Sequence, residues 1–288
     1  MPHVHHGASG SFGPVLATAM LIFFALVYLR GWFVLRSNSV GRVPPWRAGS
    51  FLIGLFLVWT AVASPPSALD HELLTVHMLK HLLMMTLAPP LIWLGEPASC
   101  VAFAIVPVTR RTRVFVLHQT RRTIALCWLA AAAALVVWHI PPVFALAMHS
   151  AAWHFIEQSS FLVTGLLFWW PVVQPWPSVF RPDLSMILYL FFATLPCDIL
   201  SGFLVFCDRV VYPSYLSSSH LSGFTALGDQ QCAAALMWTC VTLVYLVAGA
   251  ILAMRLLSPH NSRDDESAQP DLHVETLPQS LQQDLEAV

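Results

Sequence analysis

The chain has 288 residues, of which 57% are hydrophobic and 10% are charged, and its formal net charge is -1. Soluble proteins carry about 25% charged residues, so this composition excludes an ordinary soluble domain and predicts a membrane protein. The chain offers no basic surface, and residues 258–288 hold seven of the 15 acidic residues, so nucleic acid is excluded as the predicted partner.

Seven apolar segments alternate with polar turns, and each has about the length that a transmembrane helix needs. We predict an all-α bundle of seven transmembrane helices at residues 14–35, 46–63, 71–94, 123–140, 151–172, 184–206 and 229–256. No basic residue precedes the first segment, so we expect a retained anchor rather than a cleaved signal peptide. Residues 1–13 are then an external N-terminal segment, residues 14–257 form the membrane domain, and residues 258–288 are a disordered acidic cytoplasmic tail.

Basic residues set the predicted orientation. With the N-terminus outside and the C-terminus in the cytoplasm, all but two of the 14 Lys and Arg fall on the inner side; the exceptions are Lys80 and Arg209. Cytoplasmic loops carry such an excess by the positive-inside rule. Residues 97–122 contain five arginines and are predicted to form a cytoplasmic loop with an interfacial helix.

The third span carries ionisable side chains inside an apolar segment. His77 and His81 are about one helical turn apart, and Met84 follows on the same face. An ionisable side chain in a bilayer costs about 2.5–3.5 kcal/mol on insertion scales, so this face should contact protein or water. Pro89 and Pro90 remove backbone donors and predict a kink or break in the same span.

Further residues of the types that bind metals gather at the outer ends of the later spans. His139 ends the fourth span, His154 and Glu157 share a face of the fifth, and Asp229 opens the seventh. Imidazole together with thioether suits copper, and a carboxylate can either bind the metal or orient a histidine. The predicted metal ligands are His77, His81, His139, His154, Met84, Glu157 and Asp229.

Each of these residues also has a structural interpretation. The histidine pair could hydrogen-bond loops, and Met84 could fill a gap in the core. His139 could cap a helix end, and the Asp229 carboxylate could cap a helix N-terminus. Lys80 beside two histidines opposes a permanently occupied cation site unless it snorkels outward or pairs with an acid, for which the candidates are Glu157, Asp198 and Asp229.

The six cysteines show no CxxC spacing, which gives no support to a zinc knuckle or a thioredoxin-like motif. Most are interpreted as small buried apolar groups. A disulfide between Cys207 and either Cys197 or Cys232 is left open.

Several separated motifs resemble one known family. The motifs are His77-Met-x-x-His81 with Met84, Ala88-Pro89-Pro90 and Gly95-x-Pro97; Trp138-His139-x-Pro141; His154-x-x-Glu157 with Phe161, Gly165 and Phe168-Trp169-Trp170-Pro171; and Asp229-Gln230-Gln231 with Met237-Trp238. Over about residues 14–256 they resemble the cytochrome c oxidase assembly proteins of the caa3 type. These are polytopic bacterial membrane proteins, unrelated to the single-span copper chaperone that shares their name. The resemblance implies a role in producing active haem-copper oxidase, with copper delivery as the inferred activity.

The sequence departs from the family pattern at two places. Gln158 stands where the pattern His-x-x-Glu-His has its second histidine, which implies fewer imidazoles at the site or a substitute such as His149. Cys232 begins a Cys-Ala-Ala stretch where a glycine is more usual, and this change concerns packing more than chemistry.

These expectations combine into one functional hypothesis. The protein is an accessory factor of the bacterial cytoplasmic (inner) membrane that binds copper transiently on its outer side and delivers it to a haem-copper oxidase subunit. A periplasmic copper donor and membrane lipid are the further expected partners. No nucleophile–base pair or phosphate loop is present, so no enzyme is predicted. The alternatives are a bis-histidine haem protein for electron transfer and, ranked last, a proton or ion pathway, because the inner half lacks a chain of polar groups.

Overall fold

The computed structural model describes residues 12–37, 44–105, 121–173, 184–216 and 225–257, and in this part of the chain all regular structure is helical. The α-helices are α1 (Phe12–Ser37), α2 (Pro45–Ala63), α3 (Leu74–Leu82), α4 (Ala88–Leu94), α5 (Pro97–Ile105), α6 (Arg121–Trp138), α7 (Pro141–His149), α8 (Ala151–Val173), α9 (Leu184–Phe206) and α10 (Ala226–Leu257). Short 3-10 helices cover Pro65–His71 and Pro213–Tyr215.

Five of the described helices are long and apolar enough to cross a membrane: α1, α2, α6, α9 and α10. The all-α prediction is therefore confirmed for the described residues, and the five apolar helices support a membrane protein. The predicted third span is divided into shorter helices, and α8, with 23 residues, is not among the five. The count of seven spans and the orientation of the termini stay predictions.

Several predictions fall on residues that the structure does not describe. These are most of the external segment, at residues 1–11, most of the arginine-rich loop, at residues 106–120, and the acidic tail, at residues 258–288. All six cysteines lie in the described part and are free thiols, so neither of the disulfides left open by the sequence is formed.

The third predicted span is broken at the place that its prolines indicate. A single π-helical turn covers Leu83–Leu87, and α4 begins after it with Pro89 in its first turn. Proline has no N–H to donate to the carbonyl four residues earlier, which is that of Met85. The Trp169 indole N–H of α8 donates to this carbonyl at 3.1 Å. Helix α8 therefore satisfies the backbone group that the proline leaves free.

Gly165 brings α8 close to the π turn. A Cβ atom at this position would lie 2.8 Å from both the Cα and the carbonyl oxygen of Met85. Next to this contact, the Trp93 indole of α4 donates to the Leu166 carbonyl of α8 at 2.8 Å. The crossing fixes α8 against the third span and so sets which α8 side chains face α3.

Helices α1, α2 and α5 pack on the α4 end of the broken span. Their apolar cluster consists of Tyr28, Trp32, Leu35, Ala48, Phe51 and Cys100. Arg47 forms an ion pair with Glu96, the residue at φ 51° in the turn between α4 and α5. The Tyr28 hydroxyl donates to the Gly95 carbonyl at 2.7 Å. These contacts hold the end of the broken span farthest from His77.

Candidate metal centre

A fully buried carboxylate surrounded by imidazoles lies between α3 and α8. Glu157 is 0% exposed, and its Oε1 lies 3.4 Å from His77 Nε2 and 3.6 Å from His81 Nε2. Its Oε2 lies 3.4 Å from His154 Nδ1. Among the described residues, neither oxygen of Glu157 and neither ring nitrogen of His77 has a hydrogen-bond partner. Buried polar groups are normally hydrogen-bonded. These oxygen and nitrogen atoms without hydrogen bonds are therefore suited to act as ligands of a cation.

Helix α3 presents His77 and His81 on one face, as the sequence predicts. Their ring centroids are 4.3 Å apart, and one ligand atom from each lies within 4.8 Å of the other and of a Glu157 oxygen. Phe144 packs edge-on against His77 at 5.0 Å, and Phe161 stacks on His81 at 4.1 Å. The aromatic rings therefore hold both imidazoles towards Glu157. We call His77, His81 and Glu157 the buried group.

Asp229 lies outside the buried group and caps α3 instead. Its Oδ2 accepts the Leu74 N–H at 2.6 Å, and its Oδ1 accepts the Thr75 N–H at 3.2 Å and the Thr75 hydroxyl at 2.6 Å. A carboxylate stabilises a helix N-terminus through these free N–H groups and the helix dipole. The capping interpretation of Asp229 is therefore confirmed, although the helix that it caps is α3 and not its own α10.

A second group of candidate ligands lies nearer to solvent, where the 3-10 helix Pro65–His71 folds over the start of α3. It consists of Asp70, His71 and His154, and we call it the outer group. Asp70 is buried, whereas the His71 side chain is 54% exposed. The sequence analysis missed Asp70. The only signal for it was the need of Lys80 for a buried counter-ion.

Lys80 pairs with Asp70, so none of the three acids proposed from the sequence is its partner. Both side chains are buried. Burial raises the pKa of Asp70, but the hydrogen bond with His154 and the Lys80 ammonium outweigh it and hold this pKa well below its ordinary value. The Asp70 carboxylate compensates the positive charge of Lys80. The lysine therefore no longer repels a cation at the neighbouring histidines.

His139 and Met84 lie apart from the buried group. His139 Nδ1 lies 2.6 Å from the Leu135 carbonyl, and its Nε2 lies 3.3 Å from the sulfur of Met78. Met84 packs in an apolar cluster whose buried members also include Trp138 and Phe161. The thioether that faces a histidine is therefore that of Met78.

Gln158 lies at the outer group, whereas His149 does not. The Gln158 amide contacts the His154 ring one turn earlier on α8. His149 lies exposed at the end of α7 and outside both ligand groups. Gln158 thus orients an imidazole where the family pattern would add one.

The sequence model of the family described as cytochrome c oxidase caa3 assembly factor matches residues 26–258. The chain belongs to this family. Among the curated relatives of this chain are two uncharacterized proteins, Mb0105 of Mycobacterium bovis and MT0111 of Mycobacterium tuberculosis. Each is 25% identical over 279 residues, which cover 91% of this chain. The chain spans 41% of the length of each relative. No solved structure matches it.

Seven of the motif residues occupy one of two kinds of place in the structure. One set positions the helices around α3 and consists of Asp229, Pro89, Gly165 and Trp169. The other set points ligand atoms towards Glu157 and consists of His77, His81 and His154. The motifs therefore include residues of a candidate metal site together with residues that pack the helices around it.

Proposed function

We propose that this protein is an accessory factor for the maturation of a haem-copper cytochrome c oxidase, which binds copper as transient cargo in the buried group and delivers it to an oxidase subunit. The observation that carries the proposal is the Glu157 carboxylate, which is fully buried, lacks a hydrogen bond among the described residues and is faced by three imidazole nitrogens at 3.4–3.6 Å. Family membership supplies the oxidase-assembly role. Copper is the part that the proposal adds.

The ligand types favour copper over hard cations. Calcium and magnesium prefer sites made of oxygen ligands, whereas imidazole nitrogen binds copper well. One carboxylate supplies a single negative charge, which compensates a cuprous ion completely. The Lys80–Asp70 pair adds no net charge to this balance.

His154 connects the buried group with the outer group. Its Nε2 lies 3.0 Å from Asp70 Oδ2, and its Nδ1 lies 3.4 Å from Glu157 Oε2. A copper ion taken up beside the exposed His71 would pass His154 on its way to Glu157. With all seven predicted spans across the inner membrane and the N-terminus outside, this entrance faces the periplasm and a donor there.

The proposal is tested by measuring copper per molecule in protein purified in detergent. We expect Glu157→Gln, which keeps the size of the side chain, and the pair His77→Ala with His81→Ala to lower the copper bound per molecule. The matched control is Glu72→Gln, since Glu72 is a partly buried acid outside both ligand groups. Equal stoichiometry in wild type and Glu157→Gln would remove the ligand assignment.

A deletion strain supplies the cellular test. We expect oxidase activity to be lost in it, to return with the wild-type gene and not with Glu157→Gln, and to recover in part with added copper. Full activity in the strain that carries Glu157→Gln would contradict copper delivery through the buried group.

A bis-histidine haem between His81 and His139 is disfavoured by space. The cavity that His81 and His139 line has a volume of about 40 Å³. Pockets for ligands of drug size have about 300–1,000 Å³. We therefore expect the purified protein to show no Soret band, and a Soret band would restore this alternative.

A further inference from the structure

A cavity lined by sulfur atoms lies deeper in the bundle, beside the buried group. It has a volume of about 40 Å³, enclosed by α3, α6, α8, α9, α10 and the π turn. Six residues with soft or borderline ligand atoms line it: Met78, His81, Met85, His139, Cys197 and Met237. A water-sized species needs about 10–15 Å³, so the cavity has room for a metal ion.

Two of these residues, His139 and Met78, bring together atoms that can both accept a hydrogen bond. A carbonyl oxygen only accepts, so the short contact with Leu135 places the proton of the neutral His139 ring on Nδ1. Its Nε2 then has a free lone pair, which lies 3.3 Å from the thioether sulfur of Met78. A thioether has no proton to donate. A cation between the nitrogen and the sulfur would form one coordination bond with each atom.

The separation fits two ligands of one ion. With metal–nitrogen and metal–sulfur bonds of about 2.0 and 2.3 Å, as at zinc, a 3.3 Å separation corresponds to a ligand–metal–ligand angle of about 100°. This is close to a tetrahedral angle. The distance between these two atoms therefore needs no change for both to bind one ion.

The charge of the lining selects among ions. Within the described part of the chain, no Asp or Glu lines the cavity. A divalent ion there would stay uncompensated in apolar surroundings, which is costly. Neutral thioether and imidazole ligands favour a soft monovalent ion, and cuprous copper is of this kind.

We propose that Met78 and His139 form a second copper site, specific for the cuprous ion, which receives its ion from the buried group through His81. His81 belongs to both places, since its Nε2 lies 3.6 Å from Glu157 and its ring lines the cavity, 6.2 Å from the ring of His139. The transfer exchanges ligands on one cuprous ion and involves no change of oxidation state. Only this direction of transfer rests on the proposed function; the second site is defined by its own residues.

The test compares two methionines of the same broken span. Met78 and Met84 are both 1% exposed, but only Met78 lines the cavity. A Met→Leu exchange roughly conserves volume and costs under about 1.5 kcal/mol. We expect Met78→Leu to weaken cuprous binding at least about tenfold, measured by competition with a cuprous chelator under reducing, anaerobic conditions. Met84→Leu should bind as wild type does.

X-ray absorption of the wild-type protein loaded with cuprous ion gives a readout that does not depend on the folding of variants. We expect a sulfur neighbour at about 2.3 Å, absent from Met78→Leu and present in Met84→Leu. Absence of sulfur from the wild-type spectrum would overturn the second site. Loss in Met84→Leu with retention in Met78→Leu would assign the sulfur to Met84 instead.

The two proposals fail differently. If Glu157→Gln lowers the copper bound per molecule but the cuprous spectrum has no sulfur, the second site is wrong and the proposed function stands. If Glu157→Gln binds as much copper per molecule as wild type does while Met78→Leu loses the sulfur signal, the buried group is wrong and the second site stands. Silver ion is monovalent and soft, and it stays in this oxidation state in a thiol-free buffer. It therefore repeats the cuprous comparison without a redox reagent.

Discussion

Replacing Asp229 tests whether this residue holds α3 or binds copper. The N-cap position of α3 is Leu73, whose side chain makes no capping hydrogen bond. The carboxylate of Asp229 takes that role from α10, and it accepts the Leu74 N–H, the Thr75 N–H and the Thr75 hydroxyl. Asp229→Asn keeps one acceptor oxygen and removes the charge, whereas Asp229→Ala removes all three bonds.

The expected size of the effect follows from these contacts. Loss of an N-cap costs about 0.5–2 kcal/mol. A buried donor left unpaired costs about 1–3 kcal/mol more. We therefore expect Asp229→Asn to lower the free energy of unfolding by about 2 kcal/mol and Asp229→Ala by about 4 kcal/mol. At about 2–4 °C per kcal/mol for a chain of this size, Asp229→Ala should lower the apparent Tm by about 10 °C.

The assay is thermal unfolding in detergent, combined with copper per molecule of folded protein. We expect a lower Tm and unchanged copper for Asp229→Asn. A double-mutant cycle with Thr75→Val should give a coupling of about 0.5–3 kcal/mol, because Thr75 donates its hydroxyl to the same carboxylate. An unchanged Tm with reduced copper, or a coupling near zero, would refute the capping role and return Asp229 to the ligands.

Three further predictions concern the contacts around α3. Gly165→Ala should lower both the Tm and the copper content, because its Cβ would lie 2.8 Å from backbone atoms of the π turn; Gly202→Ala is the matched control, since its Cβ would meet only ring atoms at 3.9–4.0 Å. Lys80→Met and Asp70→Asn should each lower the Tm by more than the double variant does, because each single variant leaves the other member of the buried pair without its partner. Equal effects on the Tm in all three variants would contradict a buried ion pair. Trp169→Phe should cost about 1 kcal/mol in unfolding experiments through the lost hydrogen bond to the π turn, and no change would show that this bond is dispensable.

The sequence predicted the parts of the site that lie within one helix. His77 and His81 share a face of α3 because four residues make about one turn. The break at Pro89 followed from its missing N–H. Met84 was placed on the same face by counting 100° per residue, but the π turn Leu83–Leu87 interrupts that count at its first residues. Met84 therefore packs in another cluster, whereas Met78, which precedes the turn, faces His139.

The contacts between distant segments were not predictable in the same way. Asp229 caps a helix that begins 155 residues earlier, at Leu74, and nothing in its local sequence specifies which helix end it meets. Lys80 indicated a buried acid without identifying Asp70, because the 3-10 helix Pro65–His71 had to fold back over α3 for the pair to form. Helical periodicity is a local property, whereas these pairs depend on how the helices pack.

The spacing of the ligands depends on helices other than the one that carries them. Helix α3 has nine residues, and isolated helices shorter than about 12–15 residues are marginal. Its start is held by Asp229 of α10, and the π turn that follows its end is held by Trp169 of α8. Helix α8 also supplies Glu157, so a shift of α8 along the Gly165 crossing changes the distances from Glu157 to His77 and His81 together. The affinity of the buried group is therefore set by the packing of α8 and α10 on α3 as much as by its ligand types.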